Sequence, residues 1–256
     1  MTKPPAKSEY DALWADLRRL TAARIGLKRS GASLATQPLL EFQLAHARAR
    51  DAVHAPLDVG RLNNDIAALG VPVLDVASAA TDKQIYLMRP DLGRQLALDA
   101  AAKLAPHKGK YDVVFVVSDG LSASAVQSHA ASLLAAVLPE LRGQNCRIAP
   151  VVLACHGRVA IGDAIATALG AECAVVLIGE RPGLSAPDSM GAYLTWRPGA
   201  QTTDADRNCI SNIRPDGIGY ADAAFKLTHL LAAIRARGLS GVQLKDLSDR
   251  LLLGPE

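Results

Sequence analysis

The sequence predicts an α/β protein: a mostly parallel sheet covered by helices on both faces, preceded by a helical N-terminal portion. Three observations lead there. Short apolar runs rich in β-branched residues, "DVVFVV", "IAPVVLA" and "CAVVLIG", follow one another downstream with helical patterns between them, which is the βαβαβ grammar of buried parallel strands. Upstream the pattern is mostly helical. The chain of 256 residues is half hydrophobic, enough for a sizeable buried core in one or two domains.

The elements follow in order. After a polar start, "MTKPPAKSEY", the stretch "DALWADLRRL" places Leu13, Leu17 and Leu20 on one helical face, and Gly26, Gly31 and Pro38 break the pattern that follows. Thr36 is the expected N-cap of the next helix, with Pro38 in its first turn; that helix runs through "LLEFQLAHARARDAV" and carries Leu40, Leu44, Ala47 and Asp51. "DVGRLNNDIAALG" closes at Gly70. The periodicity changes at "PHKGKYD", which divides the chain into a helical portion, 1–105, and a sheet domain, 106–256. There the three strands alternate with the helices "SASAVQSHAASLLAAVL" and "GDAIATAL"; "GAYLTW" is a further strand. A long polar segment from Arg197 to Tyr220 reads as a binding loop without regular structure, with too few apolar residues to order itself. The last helix carries Leu227, Leu230, Leu231 and Ile234 toward the core and stops at Gly238.

In a parallel sheet, ligands bind beyond the carboxyl ends of the strands. The residues there are "SDG" from Ser118, "CHGR" from Cys155 and "GERPG" from Gly179. None carries a nucleotide fingerprint: G-x-G-x-x-G, the P-loop pattern and G-x-S-x-G are all missing, which disfavours a stand-alone nucleotide-binding enzyme or a serine hydrolase. Cys155 beside His156 is no nucleophile and base, because adjacent residues leave a strand end in opposite directions. Scattered histidines argue against a metal site built by this chain. A net charge of +3 with interspersed signs, and no aromatic platform, argues against nucleic acid. No apolar run approaches the ~20 residues that span a bilayer. Four cysteines without a CxxC pair, and no secretory leader, predict a reduced cytosolic chain with four free thiols.

The segments "LTAARIGLKRSGASLATQPLLEFQLAHARARDAVHAPLD", "IYLMRPDLGRQL", "VVSDGLSASAV", "GRVAIGD", "VVLIGERPGLSAPDSMGAYLTW" and "TTDADRNCISNIRPDGIGYADAA" together resemble one family, the small (light) subunit of ethanolamine ammonia-lyase. The resemblance is nearly chain-long. It implies a Rossmann-like domain that holds adenosylcobalamin at an interface with a large catalytic subunit, for radical conversion of ethanolamine to acetaldehyde and ammonia. It implies cofactor contacts at Val159 in "GRVAIGD", Glu180 in "GERPG" and Cys209 in "DRNCIS", and a lower cobalt ligand supplied by the cofactor, consistent with the missing D-x-H-x-x-G. The substrate site lies in the large subunit, so no catalytic residue is assigned here, and some hosts enclose the enzyme in a bacterial microcompartment. A cobalamin carrier without lyase activity shares the same fold and site. At the residue level, Val159 offers backbone groups and an apolar wall, and Glu180 an acceptor for corrin amides or an adenosine hydroxyl, its replacement by Gln leaving the fold almost unchanged. Cys209 is a free thiol within the long segment. The stretch from Leu27 to Asp58 is the candidate surface for docking on the large subunit.

Overall fold

The computed structural model describes residues 9–248, with side chains from residue 12; the polar start before Glu9 lies outside the described residues. The first helix, α1 (Glu9–Leu17), and a small hairpin, β1 (Arg29–Ser30) and β2 (Ser33–Leu34), precede α2 (Thr36–His54) and α3 (Val59–Ala67). Then come β3 (Val73–Ala77), α4 (Lys83–Met88), α5 (Ala100–Leu104), β4 (Tyr111–Ser118), α6 (Ala123–Gly143), β5 (Val151–Cys155) and α7 (Ile161–Leu169). The chain continues through β6 (Ala171–Gly179), β7 (Met190–Trp196), β8 (Arg207–Ile213) and α8 (Tyr220–Arg237).

Six strands form one mixed sheet in the order β3-β5-β4-β6-β7-β8. The first four are mutually parallel; β7 and β8 add antiparallel. Alternation along the strands divides the core in two. Val113, Phe115 and Val117 of β4 face one way, against Leu62 of α3, Leu133 and Leu134 of α6, and Leu227 of α8. Val114 and Val116 face the other way, against Leu104 of α5 and Ile161 and Ile165 of α7. Burial on both faces is why these strands read as continuous apolar runs.

The structure departs from the sequence reading at four places. Strand β3 comes from the portion read as helical; it pairs in register with β5, Val73 opposite Val151 through Ala77 opposite Cys155. Asp75 interrupts its apolar pattern, and its partner lies far along the chain. Helix α2 begins one residue early, with Ala35 as N-cap and Thr36 inside the helix, and α6 runs past Pro139 to Gly143. The core-facing residues of α2 are Ala45 and Ala52, while Leu40 and Leu44 are exposed, as are Leu13, Leu17 and Leu20.

The fourth departure is the largest. The segment from Arg197 to Tyr220 is not irregular: its centre is the edge strand β8, hydrogen-bonded to β7, with Ile210 and Ile213 buried in the chain's own core. Met190 lies opposite Ile213 and Ala192 opposite Ile210, so three positions on β8 match two on β7. This bulge, with Asn212 at φ 60°, breaks the period-2 alternation by which a strand is recognised in sequence.

Candidate functional site

The parallel strands deliver their carboxyl ends to one edge. Helices α6 and α7 leave the adjacent strands β4 and β5 on opposite faces, which opens a crevice at the end of the sheet. Its floor is tightly tied. The Ser118 hydroxyl lies 2.7 Å from the Ala154 carbonyl oxygen and accepts the Gly157 N–H at 3.1 Å. Asp119, buried, accepts the His156 N–H at 2.6 Å, and Ser78 donates to the His156 carbonyl at 2.7 Å. These bonds hold His156 at φ 55°, a left-handed conformation uncommon for a non-glycine residue. Gly179 at the end of β6 has no room for a side chain: a Cβ there would sit 2.0 Å from the Ser122 carbonyl oxygen.

Two cavities open here. One, of about 310 Å³, lies between Lys83, Asp119, Cys155, His156 and the His54–Leu57 turn. Lys83 bridges to Asp119 at 3.3 Å and donates to the Gly120 carbonyl at 2.8 Å. The other, of about 470 Å³, is lined by Leu121, Val159, Ile178, Glu180, Tyr193 and the exposed Arg181, with Arg158 and Tyr86.

Val159 and Glu180, predicted as site residues, therefore share one cavity. Glu180 does more than line it. Its carboxylate accepts from the Ser211 hydroxyl at 2.5 Å, from the Asn212 N–H at 3.1 Å and from the Ser189 hydroxyl, tying the end of β6 to the start of β7 and the bulged end of β8. This three-point clamp counts against the expectation that its replacement leaves the fold almost unchanged.

Cys209 lies on β8 directly opposite Tyr193. The two side chains share one face of the sheet, so Cys209 sits beside the Tyr193 side chain that lines the cavity. Cys209 is exposed on the edge strand, yet desolvation of its sulfur by the neighbouring groups pushes the thiol pKa up, against the pull of the Tyr193 side chain. Burial also pushes Cys155 up to about 11, which leaves it an unactivated thiol. All four cysteines are free. Among the described residues no group of three His, Cys, Asp or Glu side chains could hold a metal ion, and no helix is long and apolar enough to cross a membrane.

Sequence reasoning missed Arg158 and Tyr86. "CHGRV" drew attention to the glycine and the valine, while the arginine between them carries the charge. The guanidinium stacks on the Tyr86 ring at 4.3 Å, and Nη2 donates to the Tyr86 carbonyl at 3.1 Å. Its Nε is buried without a hydrogen-bond partner.

A sheet whose carboxyl edge carries a cavity with apolar and charged walls, a fixed carboxylate and an arginine with a spare donor is an α/β architecture suited to holding a ligand. Comparison with known proteins gives the family. The family model for the ethanolamine ammonia-lyase light chain (EutC) matches residues 11–245. The chain is 52% identical to the ethanolamine ammonia-lyase small subunit of Ralstonia nicotianae over 244 residues, covering 94% of this chain and 90% of the relative. It is 51% identical to that of Xanthomonas campestris pv. campestris over 256 residues, covering 98% and 94%. The chain belongs to the ethanolamine ammonia-lyase light-chain family.

Proposed function

We propose that this chain is the subunit that holds adenosylcobalamin against the large subunit of ethanolamine ammonia-lyase, within an enzyme that converts ethanolamine to acetaldehyde and ammonia. The observation that carries the reading, beside family membership, is the cavity beyond β6, where three unlike features converge. Leu121, Val159 and Ile178 supply an apolar wall for a macrocycle. Glu180 is ionisable and already oriented; a carboxylate has about four acceptor positions, of which its three clamp bonds use three, so it can accept a further amide N–H. Arg158 offers a buried N–H with no acceptor from the protein. The residues present thus suit a large, mostly apolar group with polar edges. When bound, adenosylcobalamin supplies the radical chemistry, and the protein supplies position, electrostatics and exclusion of side reactions. Tyr193 and Cys209 close the outer side of the site, the thiol acting as a small contact surface.

Docking falls to the upstream portion. Of the large apolar side chains left exposed, Leu13, Leu17, Leu20, Leu34, Leu39, Leu40, Phe42 and Leu44 all precede residue 45. A concentration of this kind marks an interaction surface. A groove of about 540 Å³ lies in the same portion, between the turn after α1 and the start of α2. The large subunit is the partner that covers it.

Mixing tests the reading. The purified chain alone is expected to show no ethanolamine deamination and to restore it when combined with the large subunit and adenosylcobalamin. Full turnover by the isolated chain, or a mixture that binds no cobalamin, refutes it. Leu40→Lys with Leu44→Lys is expected to abolish co-elution with the large subunit at unchanged melting temperature; undisturbed co-elution counts against the docking face.

A further inference from the structure

Arg158 stands apart from the other cations with buried heads. Arg207 is paired with Asp163 at 2.7 Å, Arg214 with Asp188 at 2.8 Å, Lys83 with Asp119 at 3.3 Å and Lys226 with Asp246 at 3.7 Å. Arg158 has no carboxylate within ion-pair distance among the described residues, although it is half-buried and held in place. Its backbone N–H donates to the Gly93 carbonyl at 2.7 Å, and the turn there closes so tightly that a Cβ on Gly93 would lie 2.7 Å from Arg158 Cγ. Tyr86, on which the guanidinium stacks, is no counter-ion, since burial pushes its phenol up to about 12 and leaves it neutral. Glu180 is engaged elsewhere by its three donors. A fixed, half-buried guanidinium whose buried Nε–H has no acceptor leaves a polar group unsatisfied, and an arriving anion offsets that cost. The N–H groups of Val159 and Ala160, which lead into α7, likewise have no acceptor among the described residues and lie at the positive end of that helix.

We propose that Arg158 is the anion-recognising residue of this cavity and that it takes the phosphodiester in the nucleotide tail of the corrinoid. The proposal rests on the cobalamin reading above. Within that reading the choice of group follows from chemistry: the corrin side chains are neutral amides, the phosphodiester is the cofactor's anion, and a guanidinium fork matches the oxygen spacing of phosphate.

The experiment uses the reconstituted complex with the large subunit, titrated by absorbance with three probes: cyanocobalamin, cobinamide, which lacks the whole tail, and cobinamide phosphate. Arg158→Gln is expected to weaken cyanocobalamin and cobinamide phosphate roughly 10- to 100-fold, the scale of a lost charge-assisted hydrogen bond, and to leave cobinamide within about 3-fold. Arg158→Lys, which keeps the charge and loses the fork, is expected to fall between. Melting temperature and co-elution of each variant establish that it folds and assembles. Equal weakening of all three probes, or of none, overturns the proposal, as does sensitivity to cyanocobalamin without sensitivity to cobinamide phosphate. A wild-type complex that binds no corrinoid overturns the cofactor reading itself, and this proposal with it.

Discussion

Replacing Glu180 separates two roles that its position combines. The carboxylate accepts three hydrogen bonds, from Ser189, Ser211 and the Asn212 N–H, which arrive from the β6–β7 connection and from β8. In Glu180→Gln one oxygen becomes a donor. Ser211 can rotate to accept from it, while the remaining oxygen keeps the other two partners. The loss is then the difference between charge-assisted and neutral bonds, about 1–2 kcal/mol over the clamp. Glu180→Ala removes all three; because Ser211 and Asn212 are exposed, water replaces part of what is lost, and the cost is held to about 2–3 kcal/mol. At roughly 2–4 °C per kcal/mol for a chain of this size, Gln lowers the melting temperature by about 2–8 °C and Ala by about 4–12 °C. Ser211→Ala provides the control, since it weakens the clamp and leaves the carboxylate in the cavity. Thermal unfolding of the isolated chain, with cobalamin titration of the complex, reads both roles. If Glu180→Gln and Glu180→Ala both melt with wild type, the clamp contributes nothing; if Ser211→Ala weakens cobalamin as much as Glu180→Gln does, the carboxylate acts on the cofactor only by shaping the strand.

Asp163→Ala leaves the buried Arg207 without its bidentate partner and is expected to cost about 3–5 kcal/mol, roughly 6–20 °C in melting temperature; a fall under 2 °C contradicts the account. Asp112 is held below the usual carboxylate range by the Arg147 side chain, against the effect of its burial. The unfolded chain therefore takes up the Asp112 proton at higher pH than the native chain, so this stabilisation is complete at neutral pH and is lost as pH falls below about 4. The stability gap between wild type and Asp112→Asn is expected to be flat from pH 6 to 8 and to shrink in acid; a gap that widens in acid reverses the sign and refutes it. Cys209, its pKa raised by desolvation of the sulfur although the residue is exposed, is expected to react slowly with a thiol reagent at pH 7, to accelerate only above the ordinary thiol range of about 8.5, and to slow further in Tyr193→Phe, which removes the hydroxyl that favours the thiolate. Fast labelling at pH 7 is the contrary result.

Much of the fold was legible because burial on both faces writes itself into composition. Val113 to Val117 has no polar side to conceal, and α8 declares its inner face through Leu227, Leu230, Leu231 and Ile234. Strand β3 was hidden because five residues with an aspartate at the centre make a weak local signal, and only the pairing with β5 stabilises them as a strand. Strand β8 was hidden by its bulge, which spaces Ile210 and Ile213 three apart in a context where alternation was sought. Leu13 and Leu17 of α1 and Leu40 and Leu44 of α2 stand at the helical spacing expected, although Leu20 falls beyond the end of α1, and periodicity alone does not say whether a stripe meets the chain's own core or a partner.

For the site, residue types at short spacing were enough to assign Val159 and Glu180 to the segments that follow strands and to see that no phosphate fingerprint lies among them. Those are local facts, set by residue types at short spacing. It took the tertiary structure to bring Ser189, Ser211 and Asn212 onto Glu180, to set Tyr193 beside Cys209 across a bulged strand, and, among the described residues, to pair Lys83, Arg207, Arg214 and Lys226 with carboxylates while leaving Arg158 without one. Whether a charge is paired depends on which distant segments the sheet brings within about 4 Å, and a one-residue shift of register at β8 reassigns those neighbours, so pairing cannot be read from spacing along the chain.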